Sequence, residues 1–334
     1  MDYLSATWVG IIGFVILMYV ILDGFDLGVG IIAPFFDAKD RDVMISTILP
    51  VWDGNETWLV MGGAMLYGAF PLAFSLILPT LYLPILVMVA ALLFRGVSFE
   101  FRLKTDTSNR LWDFMFSFGS IVATLMQGLM LGTFVQGFNV TPGDIRQLVV
   151  PGYFWFSPFS VTCAVALLFG YALLGSSWLI SKTQNHIQQK CFSSAKICLL
   201  VIAVFAVVVS FWTPFVDPHV KARWLDPDLM MYLAILPALS IVSWFWAWFS
   251  IEKKKDHSPF WAAVAIFLCC YAGFVIGAWP YIVPHQITFW DAAAPPQSLK
   301  FMLYGTAIML PILLWYTFHA YRIFRGKVTD VIKY

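Results

Sequence analysis

Acidic residues and arginines interrupt the apolar stretches in the first third of this sequence at a few closely spaced points. They stand in four short motifs: DGFDLGVG from residue 23, WDGNETW from residue 52, FRGVSFEFR from residue 94, and Trp112-Asp113. Carboxyl groups exchange protons, whereas an arginine beside them stays charged, so such a group is able to pass protons or to form buried ion pairs. Its members are Asp23, Asp26, Asp53, Glu56, Glu100 and Asp113 with Arg95 and Arg102.

The composition around these residues is that of a membrane protein. Of 334 residues, 60% are hydrophobic and 12% are charged, against about 25% charged in an ordinary soluble domain. Aromatic residues make up 18% and include 15 Trp, as expected where many helix ends meet the membrane–water interface. The net charge of +1 gives no reason to expect a nucleic-acid partner.

Nine apolar stretches are long enough to cross a bilayer as helices, which takes about 20 residues each. The least obvious boundary lies between Thr57 and Phe94, 38 residues without a charge. As one helix this stretch would be about 57 Å long, so we expect it to fold back near Gly68 and Pro71. The sequence predicts an all-α protein with spans at 8–33, 50–70, 74–97, 112–137, 158–180, 193–213, 229–250, 259–283 and 298–322.

The positions of Lys and Arg predict the orientation, because cytoplasmic connections carry an excess of both. Fifteen lie in the connections after spans 1, 3, 5 and 7 and in the tail, and only Arg146, Lys221, Arg223 and Lys300 lie on the other side. The C-terminus is therefore expected in the cytoplasm and the N-terminus outside. All the charged motifs then meet at the cytoplasmic end of the first four helices, where we expect one hydrated vestibule.

An ionisable side chain in a spanning helix costs about 2.5–3.5 kcal/mol on insertion scales, so each is a candidate functional residue. The favoured interpretation is a cluster that takes protons from the cytoplasm and passes them inward. The alternative is purely structural: Asp53 caps the second helix, Arg95 extends toward the interface, and Glu56 and Arg102 face water.

The other residues whose types could bind a ligand or a metal are interpreted as packing residues. No two of the five His are placed to bracket a haem, and the five Cys and 13 Met form no metal-binding pattern. Gln127, the lone amide in the middle of the fourth span, predicts a hydrogen bond between helices. Gly24, Gly28 and Gly30 predict a close helix–helix contact. We therefore expect this chain itself to bind no cofactor or metal.

The charged motifs, together with later ones, resemble subunit II of the cytochrome bd quinol oxidases over the whole chain. The compact length resembles the cyanide-insensitive branch of that family. Besides the first four motifs, those that carry the resemblance are WPYIVP from residue 279, TFWD from residue 288 and WYTF from residue 315.

The resemblance implies two four-helix bundles plus a ninth helix, divided here into 1–137, 138–284 and 285–334. It implies a multi-pass protein of the bacterial inner membrane, packed against a subunit I that ligates haem b and haem d and oxidises quinol to reduce oxygen to water. Protons for that reaction come from the cytoplasm, which generates proton motive force without pumping. A small single-helix subunit and a structural quinone are further possibilities in the family.

The family's proton route begins at the acid of the Trp-Asp-Gly motif, which here is Asp53 after Trp52. The matching polar positions nearby are Asp23, Asp26, Arg95, Glu100 and Asp113. We predict that Asp26 and Glu100 relay protons, with Arg95 tuning how readily these carboxyls hold them. Some relatives have an amide in place of Glu56, to which the sequence assigns no role. A proton-coupled secondary transporter and an assembly scaffold stay open as alternatives.

Overall fold

Long helices make up most of the computed structural model, which describes residues 2–104, 110–138, 153–216, 218–224 and 227–328. The first half contains α1 (Asp2–Ile32), α2 (Ala38–Ser46), α3 (Trp52–Ala69), α4 (Pro71–Thr80), α5 (Tyr82–Lys104) and α6 (Arg110–Gln136). The second half contains α7 (Pro158–Lys182), α8 (Asn185–Trp212), α9 (Pro218–Trp224), α10 (Pro227–Glu252), α11 (Ser258–Ala278) and α12 (Pro296–Ile323). A hairpin of β1 (Tyr281–Val283) and β2 (Ile287–Thr288) precedes α12.

Eight of the described helices are long and apolar enough to cross a membrane, which confirms an all-α membrane architecture apart from the small hairpin. The expected second span is α3, whose 18 residues would reach about 27 Å, close to the thickness of a hydrocarbon core. Asp53 and Glu56 in its first turns reduce its apolar character. The count of nine spans therefore stays a prediction.

The chain folds back between α3 and α4 at Phe70, immediately before Pro71, as the sequence predicts. The expected uninterrupted span 74–97 is wrong, because the helix breaks again at Leu81 between α4 and α5. Pro84 has no N–H to donate to the carbonyl of Thr80, four residues earlier, which accounts for this break.

The expected span 259–283 also differs, because α11 ends at Ala278 and the following residues form the hairpin. Gln286 donates a side-chain hydrogen bond to the carbonyl of Phe138, and the Ala294 N–H donates to the Ala69 carbonyl at 2.9 Å. The hairpin segment thus covers the end of the protein where α3 finishes. Most of the connection between α6 and α7 lies outside the described residues.

Helix α1 lies at the centre of the packing and contacts helices from both halves of the chain, namely α3, α6, α7, α11 and α12. The predicted glycine contact is confirmed. Gly24 and Gly28 lie against Tyr171 of α7, and Gly30 lies against Ser120 of α6. This close packing fixes the position of the acidic segment of α1 between its neighbours.

The end of α12 is held against the second half of the chain by contacts that we call the tail clamp. The Val328 N–H donates to the Lys182 carbonyl at 2.8 Å, and Lys182 Nζ donates to the Phe324 carbonyl at 2.7 Å. Lys327 Nζ lies 2.7 Å from Asp256 Oδ2. Asp256 Oδ1 accepts a hydrogen bond from Gln188 Nε2 at 2.9 Å. Asp256 follows α10 and Lys327 follows α12, so this ion pair lies outside the spanning segments.

The tail clamp is expected to weaken in acid. The hydrogen bond and charge of Lys327 hold the pKa of Asp256 below its usual value. A lowered pKa means that the carboxylate contributes its full stabilisation above its usual pKa and loses it as the pH falls through the lowered value. Because these side chains are partly exposed, we expect a contribution of roughly 0.2–1 kcal/mol.

Hydrogen exchange at the Val328 amide measures this effect. At neutral pH, Asp256→Asn and Lys327→Met should each reduce the protection of that amide, and the difference from wild type should vanish in acid. Equal protection in all three proteins at neutral pH would show that the ion pair does not hold the tail.

Candidate functional site

The predicted site residues come from helix segments that meet at one end of the protein. Asp23 and Asp26 lie in the last third of α1, Asp53 and Glu56 in the first turns of α3, and Asp113 in the first turn of α6. The segment from Arg95 to Arg102 lies in the second half of α5. We call this the charged end of the protein. The expected convergence is therefore present in the fold, although the residues divide into two clusters.

Arg95 is the centre of the first cluster. Its side chain is fully buried, with Nη1 at 2.7 Å from Asp23 Oδ1 and Nη2 at 2.9 Å from Glu56 Oε2. One guanidinium thus joins α1, α3 and α5. The Asp23 side chain is also fully buried, whereas the Glu56 side chain is 26% exposed. Glu56 therefore connects a buried ion pair with the protein surface.

Asp26 belongs to the same cluster because it follows Asp23 by three residues on α1, which places the two carboxyls on neighbouring turns of one helix face. Its Oδ2 accepts a hydrogen bond from Asn55 Nδ2 at 2.7 Å, and Asn55 Oδ1 accepts one from the Tyr321 hydroxyl at 2.8 Å. The sequence motifs predict no role for Asn55 or Tyr321. The adjacency of Asn55 to Asp53 and Glu56 was an available signal, whereas nothing in the sequence places Tyr321 of α12 here.

The second cluster surrounds Arg102. Its Nε donates to Asp113 Oδ1 at 2.7 Å and its Nη2 donates to Asp42 Oδ1 at 2.6 Å. Arg41 Nε lies 3.0 Å from Asp113 Oδ2. Arg41 and Asp42 come from α2, a helix that the sequence analysis treated as a connection. This cluster ties α2, α5 and α6 together.

The two clusters differ in charge balance, and this separates their chemistry. Two arginines face two aspartates in the Arg102 cluster (Arg41, Asp42, Arg102 and Asp113), so every charge has a partner. In the Arg95 cluster (Asp23, Asp26, Glu56 and Arg95), one guanidinium faces three carboxyls. Full ionisation would leave two excess negative charges beside fully buried groups, which is costly, so this cluster is suited to bind a proton.

The remaining predicted residues lie at the surface of the charged end. The Asp53 and Glu100 side chains are exposed. Asp53 is in the first turn of α3 but does not cap it, because the capping position is Val51. Trp52 stacks on Phe99 of α5, with ring centroids 4.7 Å apart. The charged end is thus layered, with exposed carboxyls outside and a buried cluster within.

Gln127 forms the predicted hydrogen bonds between helices. Its Nε2 donates to the Tyr19 hydroxyl of α1 at 2.7 Å, and its Oε1 accepts from the Tyr171 hydroxyl of α7 at 2.9 Å. In the described ranges, no three His, Cys, Asp or Glu side chains meet in an arrangement that could hold a metal ion. Cys163, Cys191 and Cys198 are buried free thiols.

Comparison with known proteins relates this site to a family. A family model described as cytochrome bd terminal oxidase subunit II matches residues 4–324. The chain is 24% identical over 363 residues to the cytochrome bd-I ubiquinol oxidase subunit 2 of Escherichia coli strain K12, covering 98% of this chain and 96% of that protein. It is 25% identical over 343 residues to the cytochrome bd ubiquinol oxidase subunit 2 of Bacillus subtilis strain 168, covering 98% of each.

The fold gives an independent comparison. A chain in the structure of bd oxidase from Geobacillus thermodenitrificans matches with a TM-score of 0.78 and 15% identity, covering 96% of this chain and 98% of that one. At this identity the likeness establishes a shared fold. Because the family model spans nearly all of the sequence, the protein belongs to the cytochrome bd terminal oxidase subunit II family.

Proposed function

We propose that this chain is the haem-free second subunit of a quinol:oxygen oxidoreductase and supplies its cytoplasmic proton-uptake route. The partner would be a subunit I that holds haem b and haem d, oxidises quinol and reduces oxygen to water. Its location would be the bacterial inner membrane, with the N-terminus outside and the charged end facing the cytoplasm. The observation that carries the proposal is the excess of carboxyls over the one guanidinium of the Arg95 cluster.

The proposed architecture follows the family: α3 crosses as a ninth span, and the chain divides into two four-helix bundles and a final helix at 1–137, 138–284 and 285–334. A small single-helix subunit and a structural quinone belong to the same proposal. Family membership leaves the transporter alternative without support.

The outer step of the route uses exposed carboxyls. Asp53 lies in the first turn of α3, one helical turn before Glu56, so the two carboxyls project from the same side of the helix. The Glu56 side chain is partly exposed and already bonded to Arg95. A proton taken up at Asp53 thus has a second acceptor within reach.

The inner step uses the Arg95 cluster. Arg95 keeps its charge throughout, and it holds Asp23 and Glu56 on separate nitrogens. Protonation of one carboxyl reduces the excess negative charge, and release of that proton restores it, so the cluster loads and unloads around a fixed cation. Asp26 would take the next proton, and Glu100 would serve as a second exposed acceptor. The balanced contacts of Asp113 favour a bracing role for it.

Replacement of Asp53 with Asn in the assembled oxidase tests the route. We expect slower oxygen reduction and slower proton uptake, with unchanged haem absorbance, because the change removes a proton acceptor and leaves the fold intact. Asp37→Asn is the matched control, since Asp37 is also exposed, precedes α2 and belongs to neither cluster. Proton uptake at the wild-type rate in Asp53→Asn would remove Asp53 from the route.

A further inference from the structure

A narrow crevice opens between the start of α3 and the last turns of α12. Its volume is about 10 Å³, and its walls include Pro50, Gly54, Asn55, Thr317, Ala320 and Tyr321. This is about the smallest volume that holds one water molecule. Gly54 lies in the wall opposite Tyr316, whose ring would be 3.6 Å from a Cβ at this position, an ordinary contact distance.

The inner end of the crevice is formed by the two side chains that position Asp26. Asn55 is only 1% exposed and Asp26 is fully buried. Asn55 Nδ2 donates to Asp26 Oδ2 at 2.7 Å and to the Leu22 carbonyl at 3.3 Å. Asp26 Oδ1 accepts no hydrogen bond from the residues that the structure describes. One carboxylate oxygen is thus fixed in place while the other has capacity for a further donor.

The Asn55 amide, which is the one of these two side chains that contacts Asp26, is not a good proton carrier. The Tyr321 hydroxyl donates to Asn55 Oδ1, and the amide donates onward through its nitrogen. To relay a proton, the amide would have to pass through its unfavourable imidic form. The mobile carrier between the surface and Asp26 must therefore be water, and the crevice is the space that admits it.

We propose that the α3–α12 crevice is a second proton inlet, which serves Asp26 and is separate from Asp53. It rests on the proposed function. When the Tyr321–Asn55 hydrogen bond opens, a water that carries an excess proton takes its place and transfers that proton to the Asp26 carboxylate. The O–H bond to the carrier breaks, an O–H bond to Asp26 forms, and neutral water remains. No electron moves in this step.

Tyr321 is a positioning residue in this scheme. Its ring packs edge-on against Phe25, at 6.3 Å between centroids, and against Trp178, at 6.0 Å. The ring is therefore held on two sides, and the hydroxyl is directed at Asn55. Tyr321→Phe keeps this ring packing and removes only the bond to the amide.

Plugging the crevice tests the proposal in the assembled oxidase. Ala320→Leu adds three carbon atoms at its wall and should slow proton uptake by roughly tenfold, the effect of about 1.4 kcal/mol of added barrier. Thr317→Leu should act in the same direction. Ala307→Leu is the matched control, because Ala307 is exposed on the same helix and should leave uptake at the wild-type rate. Where Leu at 320 prevents assembly, Ala320→Val should give a smaller slowing.

A spectroscopic readout separates access from structural damage. The infrared carbonyl band that Asp26→Asn removes should exchange with D₂O more slowly in Ala320→Leu. That band should shift in frequency in Tyr321→Phe, because Asn55 is no longer held. Unchanged uptake and exchange in both plugged variants, with slowed uptake in Asp26→Asn, would overturn the inlet alone. Wild-type uptake in Asp26→Asn as well as in Asp53→Asn would overturn the proposed function with it.

Discussion

Arg95→Leu is expected to prevent stable assembly of the subunit. The substitution leaves Asp23 fully buried without its cation and removes one partner of Glu56. Removing one member of a buried ion pair typically costs about 3–5 kcal/mol, a large share of the stability of most domains. The amount of purified complex that retains both subunits, together with its thermal unfolding temperature, measures the loss.

Two further variants show whether charge imbalance causes the loss of stability in Arg95→Leu. Arg95→Lys keeps the positive charge, but a compact ammonium does not reproduce the fork that reaches two carboxylates, so an intermediate loss is expected. Combining Arg95→Leu with Asp23→Asn and Glu56→Gln neutralises the two carboxyls that Arg95 contacts and should recover much of the stability. The same triple variant should stay deficient in proton uptake. If it is as unstable as Arg95→Leu alone, the defect comes from packing.

Much of this arrangement could be predicted from the sequence, because helices in a membrane must alternate in direction. Once the spans are counted, the ends of α1 and α5 and the starts of α3 and α6 have to meet at one face. The hydropathy pattern fixes this meeting without any knowledge of contacts. That is why the charged end was predicted correctly from motifs tens of residues apart.

The pairing within the charged end could not be predicted in the same way. Glu56 binds Arg95 directly, whereas Glu100, which has the clearer family match, is exposed. Asp113 pairs with Arg102 and Arg41. Which carboxyl meets which guanidinium depends on helix rotation, and motifs carry little information about rotation. Tyr321 lies 266 residues from Asn55 in the sequence, so only the tertiary packing of α12 brings them together.

Local helix breaks are a second feature of the fold that the hydropathy pattern does not predict. A hydropathy window responds to apolar character, and α4, the turn at Leu81 and α5 are all apolar. The break depends on proline chemistry at Pro84, one missing N–H in a stretch of otherwise unchanged polarity. The sequence does not predict the hairpin after α11 for the same reason. Its residues are apolar, so the predicted span extends to 283.

The contact between α1 and α7 is the other place where a small change is expected to have a large effect. A Cβ at Gly28 would lie 1.9 Å from the backbone oxygen of Tyr171. A Cβ at Gly175 would lie 2.3 Å from the backbone carbon of Gly28. Both contacts involve main-chain atoms, which cannot rotate away as a side chain can. The helices would have to separate to accept even a methyl group.

Gly28→Ala is therefore expected to abolish or strongly reduce assembly, although alanine is the better helix former by about 1 kcal/mol. Overpacking of this kind typically costs about 1–3 kcal/mol and more where the backbone must move. Gly10→Ala is the matched control on the same helix, because a Cβ there meets no atom within 4 Å. It should leave the unfolding temperature unchanged or slightly raised.

Separation of α1 from α7 also affects the proton route, because α1 carries both Asp23 and Asp26. Moving α1 away from α7 shifts Asp23 relative to Arg95 and Asp26 relative to Asn55, each now within 2.7 Å. Any Gly28→Ala complex that does assemble should take up protons more slowly than Gly10→Ala at equal haem content. A Gly28→Ala complex with wild-type stability and uptake would mean that α1 and α7 are not in backbone contact, and the rigid placement of both aspartates would lose its basis.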